Sequence, residues 1–251
     1  VGGRGRGVHG ALQQGVWNAS AEVFDPSTGK WVGTAEMTDA RVTMGTALLP
    51  DGRVLVAGGS GNKRVALKTT EIWDPASGTW TQSSDMNFFR EEMVMVILQD
   101  GRLFVTGGLN EDLSIIATTE TYDPDTGVWS ETAPMGIARA FHTATVLQDG
   151  RVLIVGGGKT DPPFFKSVEI YDPASDNWSA AAEVSRGRVL HSATLLDDGR
   201  VLIIGGRGKL TLAEIYDPES NEWNDGGDTS LPRAQHTATM MQDGRILVIG
   251  G

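Results

Sequence analysis

Two sets of side chains in this sequence have the type and spacing to do chemistry together. Arg41, Arg90, Arg139, Arg188 and Arg233 recur at steps of 49, 49, 49 and 45 residues. A guanidinium grips a carboxylate through two parallel hydrogen bonds, so a ring of such groups would suit an acidic peptide. The competing reading is a framework role, with each arginine paired inside its own repeat. His142, His191 and His236 form the second set, three residues after the last three arginines, while Met44 and Met93 hold that position in the first two repeats. Three converging imidazoles could hold zinc. Histidines on separate repeats, each at the start of a packed strand, read instead as hydrogen-bonded structural groups, so no metal is expected.

Other routes to catalysis find little support. The pairs Asp197-Asp198 and Glu91-Glu92 have no identifiable partner that would split their pKa values, and they read as solvated turns. With no Cys the chain has no thiol nucleophile, disulfide or thiolate metal site. It contains no nucleophile elbow, phosphate loop or His-Glu-x-x-His pattern. The stretch GRGRG at 3–7 is followed by no helix, which a phosphate site would need, and reads as a flexible loop start. Binding without catalysis and without a cofactor is the expectation.

The elements that would position these residues follow from the repeat. Asp-Pro pairs begin at Asp25, Asp74, Asp123, Asp172 and Asp217, and Trp31, Trp80, Trp129, Trp178 and Trp223 each lie six residues later. Asp-Gly pairs begin at Asp51, Asp100, Asp149, Asp198 and Asp243, with Gly-Gly pairs seven residues on. In one unit, residues 141–147 (FHTATVL) suit a first strand A, and Asp149-Gly150 a hairpin turn. Residues 151–157 (RVLIVGG) suit strand B and 167–172 (SVEIYD) strand C. Pro173 fixes the next turn, and Trp178 opens strand D. No unit carries a 3.6-residue period, which excludes a helical solenoid. Four antiparallel strands every 45–50 residues predict propeller blades, each needing a neighbour to cover its apolar faces. The tryptophans would seal adjacent blades. Five units fill residues 1–251 as a single domain with no linker.

The double glycine ending strand B, the Tyr-Asp-Pro of strand C (Tyr122, Tyr171 and Tyr216, with Phe24 and Trp73 as variants) and the following Trp resemble the kelch-repeat family over the whole chain. The resemblance implies an all-β kelch-type propeller of five four-stranded antiparallel blades. It also implies that Arg41, Arg90, Arg139, Arg188 and Arg233 can be presented to acidic peptide segments. Kelch-type propellers occur in galactose oxidases too, but that copper site needs a Cys cross-linked to a Tyr, and this chain lacks Cys. Kelch rings usually have six or seven blades. The first reading is a five-bladed ring closed two-plus-two: residues 1–37 supply strands C and D of one blade, and residues 233–251 supply A and B. An open piece of a larger ring is the second reading. The start at Val1, without Met or signal peptide, suggests a processed or excised product.

Length variation falls in one place. From the second Gly of each Gly-Gly to the next Asp-Pro the spacing runs 22, 15, 15, 15 and 11, while every other interval is constant. Variable loops on a fixed scaffold are the usual carriers of binding function. These B–C loops share a face with the D–A connections. That face holds 15 of the 21 basic residues against 11 acids, and the opposite turns hold 6 bases against 15 acids. A weakly basic loop face inside a chain of net charge −11 would favour an acidic peptide or protein segment. The overall balance disfavours nucleic acid and anionic membranes. No apolar run approaches a membrane span. Trp17, Phe164 and Phe165, with Phe88 and Phe89, are aromatics outside the framework series and suit a peptide or sugar contact. A carbohydrate-binding module, or a structural module of a larger secreted protein, is the alternative. A monomer is expected. The triplets Asn18-Ala19-Ser20 and Asn177-Trp178-Ser179 match a glycosylation acceptor but carry no argument.

Overall fold

A computed structural model describes residues 17–159 and 161–251. The stretch GRGRG, the first Gly-Gly and Arg4 and Arg6 lie outside the described residues. Strands β1 (Glu22–Asp25) and β2 (Lys30–Gly33) pair as a two-stranded sheet. Four complete four-stranded sheets follow. The first contains β3 (Gly45–Leu48), β4 (Val54–Ala57), β5 (Thr70–Asp74) and β6 (Thr79–Gln82). The second contains β7 (Val94–Ile97), β8 (Leu103–Thr106), β9 (Thr119–Asp123) and β10 (Val128–Thr132). The third contains β11 (Thr143–Val146), β12 (Val152–Val155), β13 (Val168–Asp172) and β14 (Asn177–Ala181). The fourth contains β15 (Ser192–Leu195), β16 (Val201–Ile204), β17 (Leu212–Asp217) and β18 (Glu222–Asp228). Strands β19 (Thr237–Met240) and β20 (Ile246–Ile249) form a second two-stranded sheet.

Each complete sheet runs in chain order with antiparallel neighbours, as the repeat predicts. The two-plus-two sheet expected from the chain ends is not among the sheets formed by the described residues. Strand ends are set by backbone conformation. Strand A of the third sheet begins at Thr143 because Phe141 is left-handed, with φ 59°. Strand B ends at Val155 because Gly156 and Gly157 take φ of 63° and 93° and turn the chain out of the ladder. A side chain at Gly156 would also meet the Arg188 carbonyl oxygen at 2.5 Å, so only glycine fits there.

The chain divides into two compact units. Unit 1 takes residues 1–114 and 120–131, and its core joins Leu55, Met86, Met93, Leu103, Val105, Tyr122 and Trp129. Unit 2 takes residues 115–119 and 132–251, and its core joins Leu147, Leu153, Val155, Val168, Val184, Val201, Ile203 and Tyr216. Inside each unit the framework tryptophans tie neighbouring sheets. Trp129 Nε1 donates to Thr70 Oγ1 at 3.1 Å in unit 1, and Trp223 Nε1 donates to the Ala182 carbonyl at 2.7 Å in unit 2. Each ring also leans on the aromatic before its Asp-Pro, as Tyr171 and Trp178 do at 5.0 Å.

Candidate binding site at the loop edge

The repeated arginines turn inward. In unit 1, Arg41 Nη1 donates to the carbonyls of Gly58 and Thr69 at 3.0 and 2.9 Å, and Nη2 donates to Glu71 at 2.7 Å. Arg90 bonds the Gly107 carbonyl at 2.9 Å and Glu120 at 2.7 Å. In unit 2, Arg139 bonds the carbonyls of Gly156 and Ser167 at 2.6 and 3.1 Å, and Glu169 at 2.5 Å. Arg188 bonds the Gly205 carbonyl at 3.1 Å and pairs with Glu214. All four guanidinium side chains are fully buried. Each glutamate also accepts backbone N–H bonds from just upstream of its arginine, such as Gly136 and Ile137 for Glu169 at 2.6 and 3.2 Å. Burial pulls the pKa of Arg90, Arg139 and Arg188 below the ordinary value, and for each the paired glutamate pushes it back.

These clasps join the end of strand B, strand C and the D–A connection of one blade. Arg41, Arg90, Arg139 and Arg188 therefore present no guanidinium to a ligand in this arrangement, because the framework uses it. Arg233 differs: it is half-buried, its Nη1 donates to the Gly250 carbonyl at 2.5 Å, and no carboxylate pairs with it among the described residues. The glutamates Glu22, Glu71, Glu120, Glu169 and Glu214 follow the same 49, 49, 49, 45 steps, always three residues before Asp-Pro. That period in the sequence marks the carboxylate partner of each clasped arginine. It also revises the expected charge of the loop face, because four clasped glutamates cancel the excess of four positive charges counted there.

The histidines are likewise framework groups within unit 2. His191 Nε2 shares a hydrogen bond with Thr143 Oγ1 at 2.9 Å, and His236 Nε2 with Ser192 Oγ at 2.8 Å. Burial depresses the His191 pKa well below 6.5, with Arg188, His142 and His236 adding to the effect. Among the described residues no group of three His, Asp or Glu side chains is arranged to hold a metal.

What remains toward solvent at the loop edge is aromatic and cationic. In unit 2, Phe164 and Phe165 are half-buried, and Lys159, Lys166 and Arg186 beside them in sequence or space are exposed. Phe165 lies over the Arg139 guanidinium at 6.0 Å. The backbone under these rings is fixed: the Phe165 N–H donates to Gly157 at 2.9 Å, the Arg188 N–H to Phe165 at 3.3 Å and the Val184 N–H to Lys166 at 3.1 Å. Gly187 permits this seat, since any Cβ there would overlap the Phe164 carbonyl. In unit 1, Phe88 lies 5.8 Å from the Arg90 guanidinium and Phe89 sits under the Lys68 ammonium at 5.5 Å. Trp17 is half-buried, with its N–H donating to Asn62 Oδ1 at 3.1 Å.

The KLHDC2/KLHL20/DRC7 Kelch-repeats domain family matches residues 88–251, and the Kelch motif matches residues 43–87. The chain belongs to the kelch-repeat family. No curated protein matches it. The solved structure of YjhT superimposes with a TM-score of 0.73 at 17% identity, over 94% of this kelch chain and 90% of that one. A fungal alcohol oxidase of the AA5 family, solved in complex with copper, gives a TM-score of 0.59 at 19% identity, over 94% of this chain and 66% of that one. At such identities the likeness is one of fold. The residues here do not fit the copper site of the kelch oxidases. There is no Cys, and Tyr122, Tyr171 and Tyr216 are buried, with their hydroxyls engaged by Ser83, Asp176 and Asn221.

Proposed function

We propose that this kelch chain is a non-catalytic binding scaffold that takes an acidic peptide or protein segment on the loop edge of unit 2. One observation carries the reading: the segment Phe164–Lys166 is held by backbone bonds to Gly157, Val184 and Arg188. Half-buried aromatics and exposed cations are thereby offered on a fixed backbone, which lowers the entropy lost on binding. The contact set is Phe164 and Phe165 with Lys159, Lys166 and Arg186. The repeated arginines support this loop from beneath. Kelch domains commonly bind proteins, which agrees with a scaffold role, and the repeated ionisable groups are engaged with one another, which leaves them poorly placed for acid–base work.

The test is fluorescence anisotropy with a labelled acidic peptide at two salt concentrations. Wild type should bind, more weakly at high salt because exposed charges are screened. Reversing Lys159, Lys166 and Arg186 together to Glu should weaken binding by about tenfold or more, equivalent to ~1.4 kcal/mol. Binding indifferent to salt and to these reversals would overturn the acidic-segment reading. Salt-insensitive binding of a glycan in its place would favour the carbohydrate alternative.

A further inference from the structure

We infer that the acidic segment taken by the loop edge of unit 2 is the loop 110–114 of a second copy of this chain, so that the protein associates with itself head to tail. The inference rests on the loop-edge reading and names its partner. In unit 1 that loop, between β8 and β9, is closed on itself. The Asn110 N–H donates to the Ser114 carbonyl at 3.0 Å, and the Leu113 N–H to the Asn110 carbonyl at 2.9 Å. Asn110 Oδ1 accepts from the N–H groups of Asp112 and Ser114 at 3.1 and 2.9 Å. Glu111, Asp112 and Leu113 are all exposed, Leu113 at 58%. Two carboxylates and a large apolar side chain therefore stand together in water on a fixed backbone.

Nothing in the fold asks for these residue types. Between β4 and β5 the same turn is built from other side chains: the Gly61 N–H donates to the Val65 carbonyl at 2.8 Å and the Arg64 N–H to the Gly61 carbonyl at 3.1 Å. The tip there reads Asn62-Lys63-Arg64. Arg64 and Leu113 share a left-handed backbone, with φ of 59° and 57°. A leucine in that conformation is strained by its own Cβ, and with its side chain in water it gains no packing in return. A partner surface would supply that packing. The loop edge of unit 2 holds the complementary set: exposed Lys159, Lys166 and Arg186 for Glu111 and Asp112, and the half-buried rings of Phe164 and Phe165 for Leu113. Charge pairing sets the register of such a contact, and covering Leu113 adds apolar burial. Both surfaces are preformed, so little ordering entropy opposes the contact. Because the two surfaces differ, each copy that docks leaves one surface open for the next, and association runs on to rings or chains. The monomer expected from the sequence would then hold only in dilute solution.

The experiment is sedimentation velocity on the full chain over a wide concentration range. The wild type should sediment faster as concentration rises. An acid-reversed variant, Glu111→Lys with Asp112→Lys, and a base-reversed variant, Lys159→Glu with Lys166→Glu and Arg186→Glu, should each remain monomeric. Mixed together they should form a dimer of one of each and stop there, since each keeps one working surface. That mixed dimer also shows that both variants are folded. The acid-reversed chain carries a net charge of −7 against −11, so relief of general repulsion would make it associate more, where the inference requires less. Leu113→Gly suits the left-handed turn and spares the fold, and it should weaken association several-fold. A wild type that stays monomeric, reversed variants that associate as the wild type does, or a mixture that yields no dimer overturns the inference. Anisotropy with a labelled acidic peptide on the acid-reversed chain separates the two readings. Peptide binding there beside a monomeric wild type overturns self-association alone, and no binding there with no mixed dimer overturns both.

Discussion

Arg139 shows why a repeated charge need not be a site. Its guanidinium is fully buried against Glu169 and two carbonyls, so removing it strands a carboxylate in a dry place. Arg139→Ala should cost about 3–5 kcal/mol, measured as a lower urea midpoint at pH 7. Arg151 pairs with Asp149 at 2.7 Å at the surface, where Arg151→Ala should cost less than about 1 kcal/mol. Equal losses would contradict the framework role of the clasp. The arginine series was legible in the sequence as a repeat, but its destination was not, because a guanidinium reaches across about thirty residues of chain to its partner. The glutamates at the same period held the answer. Phe164 and Phe165 stood out as aromatics outside the framework, yet nothing local in the sequence shows that Gly187 supplies their seat.

At the scale of elements, the strand-A histidines and the outer-strand tryptophans make contrasting predictions. The pKa of His191 is depressed in the folded state by burial, so between pH 6.5 and that lower value the unfolded chain binds a proton that the folded chain refuses. Its contribution to stability is therefore level above about pH 6.5 and declines as pH falls below it. His236 shifts in the same direction, mainly by burial. Replacing His191 by Met, the residue found at this position in the first two repeats, should flatten the decline between pH 7 and pH 5 in thermal melts. An unchanged slope would refute the assignment. Carboxylates such as Asp198, held below 3.8 by bonds from Arg200, act only in more acid solution. Among the tryptophans, Trp129 is 6% exposed and hydrogen-bonded to Thr70, whereas Trp31 on β2 is 66% exposed. Trp129→Ala should cost about 3–5 kcal/mol, and Trp31→Ala should cost far less in the same urea titration. The sequence gives both the same six-residue spacing from Asp-Pro, so periodicity alone cannot tell a buried framework ring from an exposed one.

At the scale of the whole molecule, the repeat and the strand order within each four-stranded sheet were readable because turn residues recur on a fixed register. Asp149-Gly150 sets a hairpin by a local rule, with Leu147 N–H donating to the Arg151 carbonyl at 2.8 Å. The pairing of the terminal strands depends on partners far away in sequence and escapes any such rule. The clasps also carry a consequence for tolerance to length. Arg188 and Glu214 lie 26 residues apart where the other clasped pairs lie 30 apart, and the geometry survives. The missing four residues come from the stretch after Gly206, beyond the point where the arginine knots glycine to strand C. Chain added there bears no load: doubling a loop costs only ~0.6 kcal/mol of closure entropy. Inserting six Gly/Ser residues between Gly208 and Lys209 should shift the melting point of the protein by no more than a few degrees. The same six placed between Asp198 and Gly199, inside a hairpin whose bonds set register, should lower it much further. The molecule would then serve as a display frame, with foreign recognition sequences grafted above each knot while the sheets below keep their register.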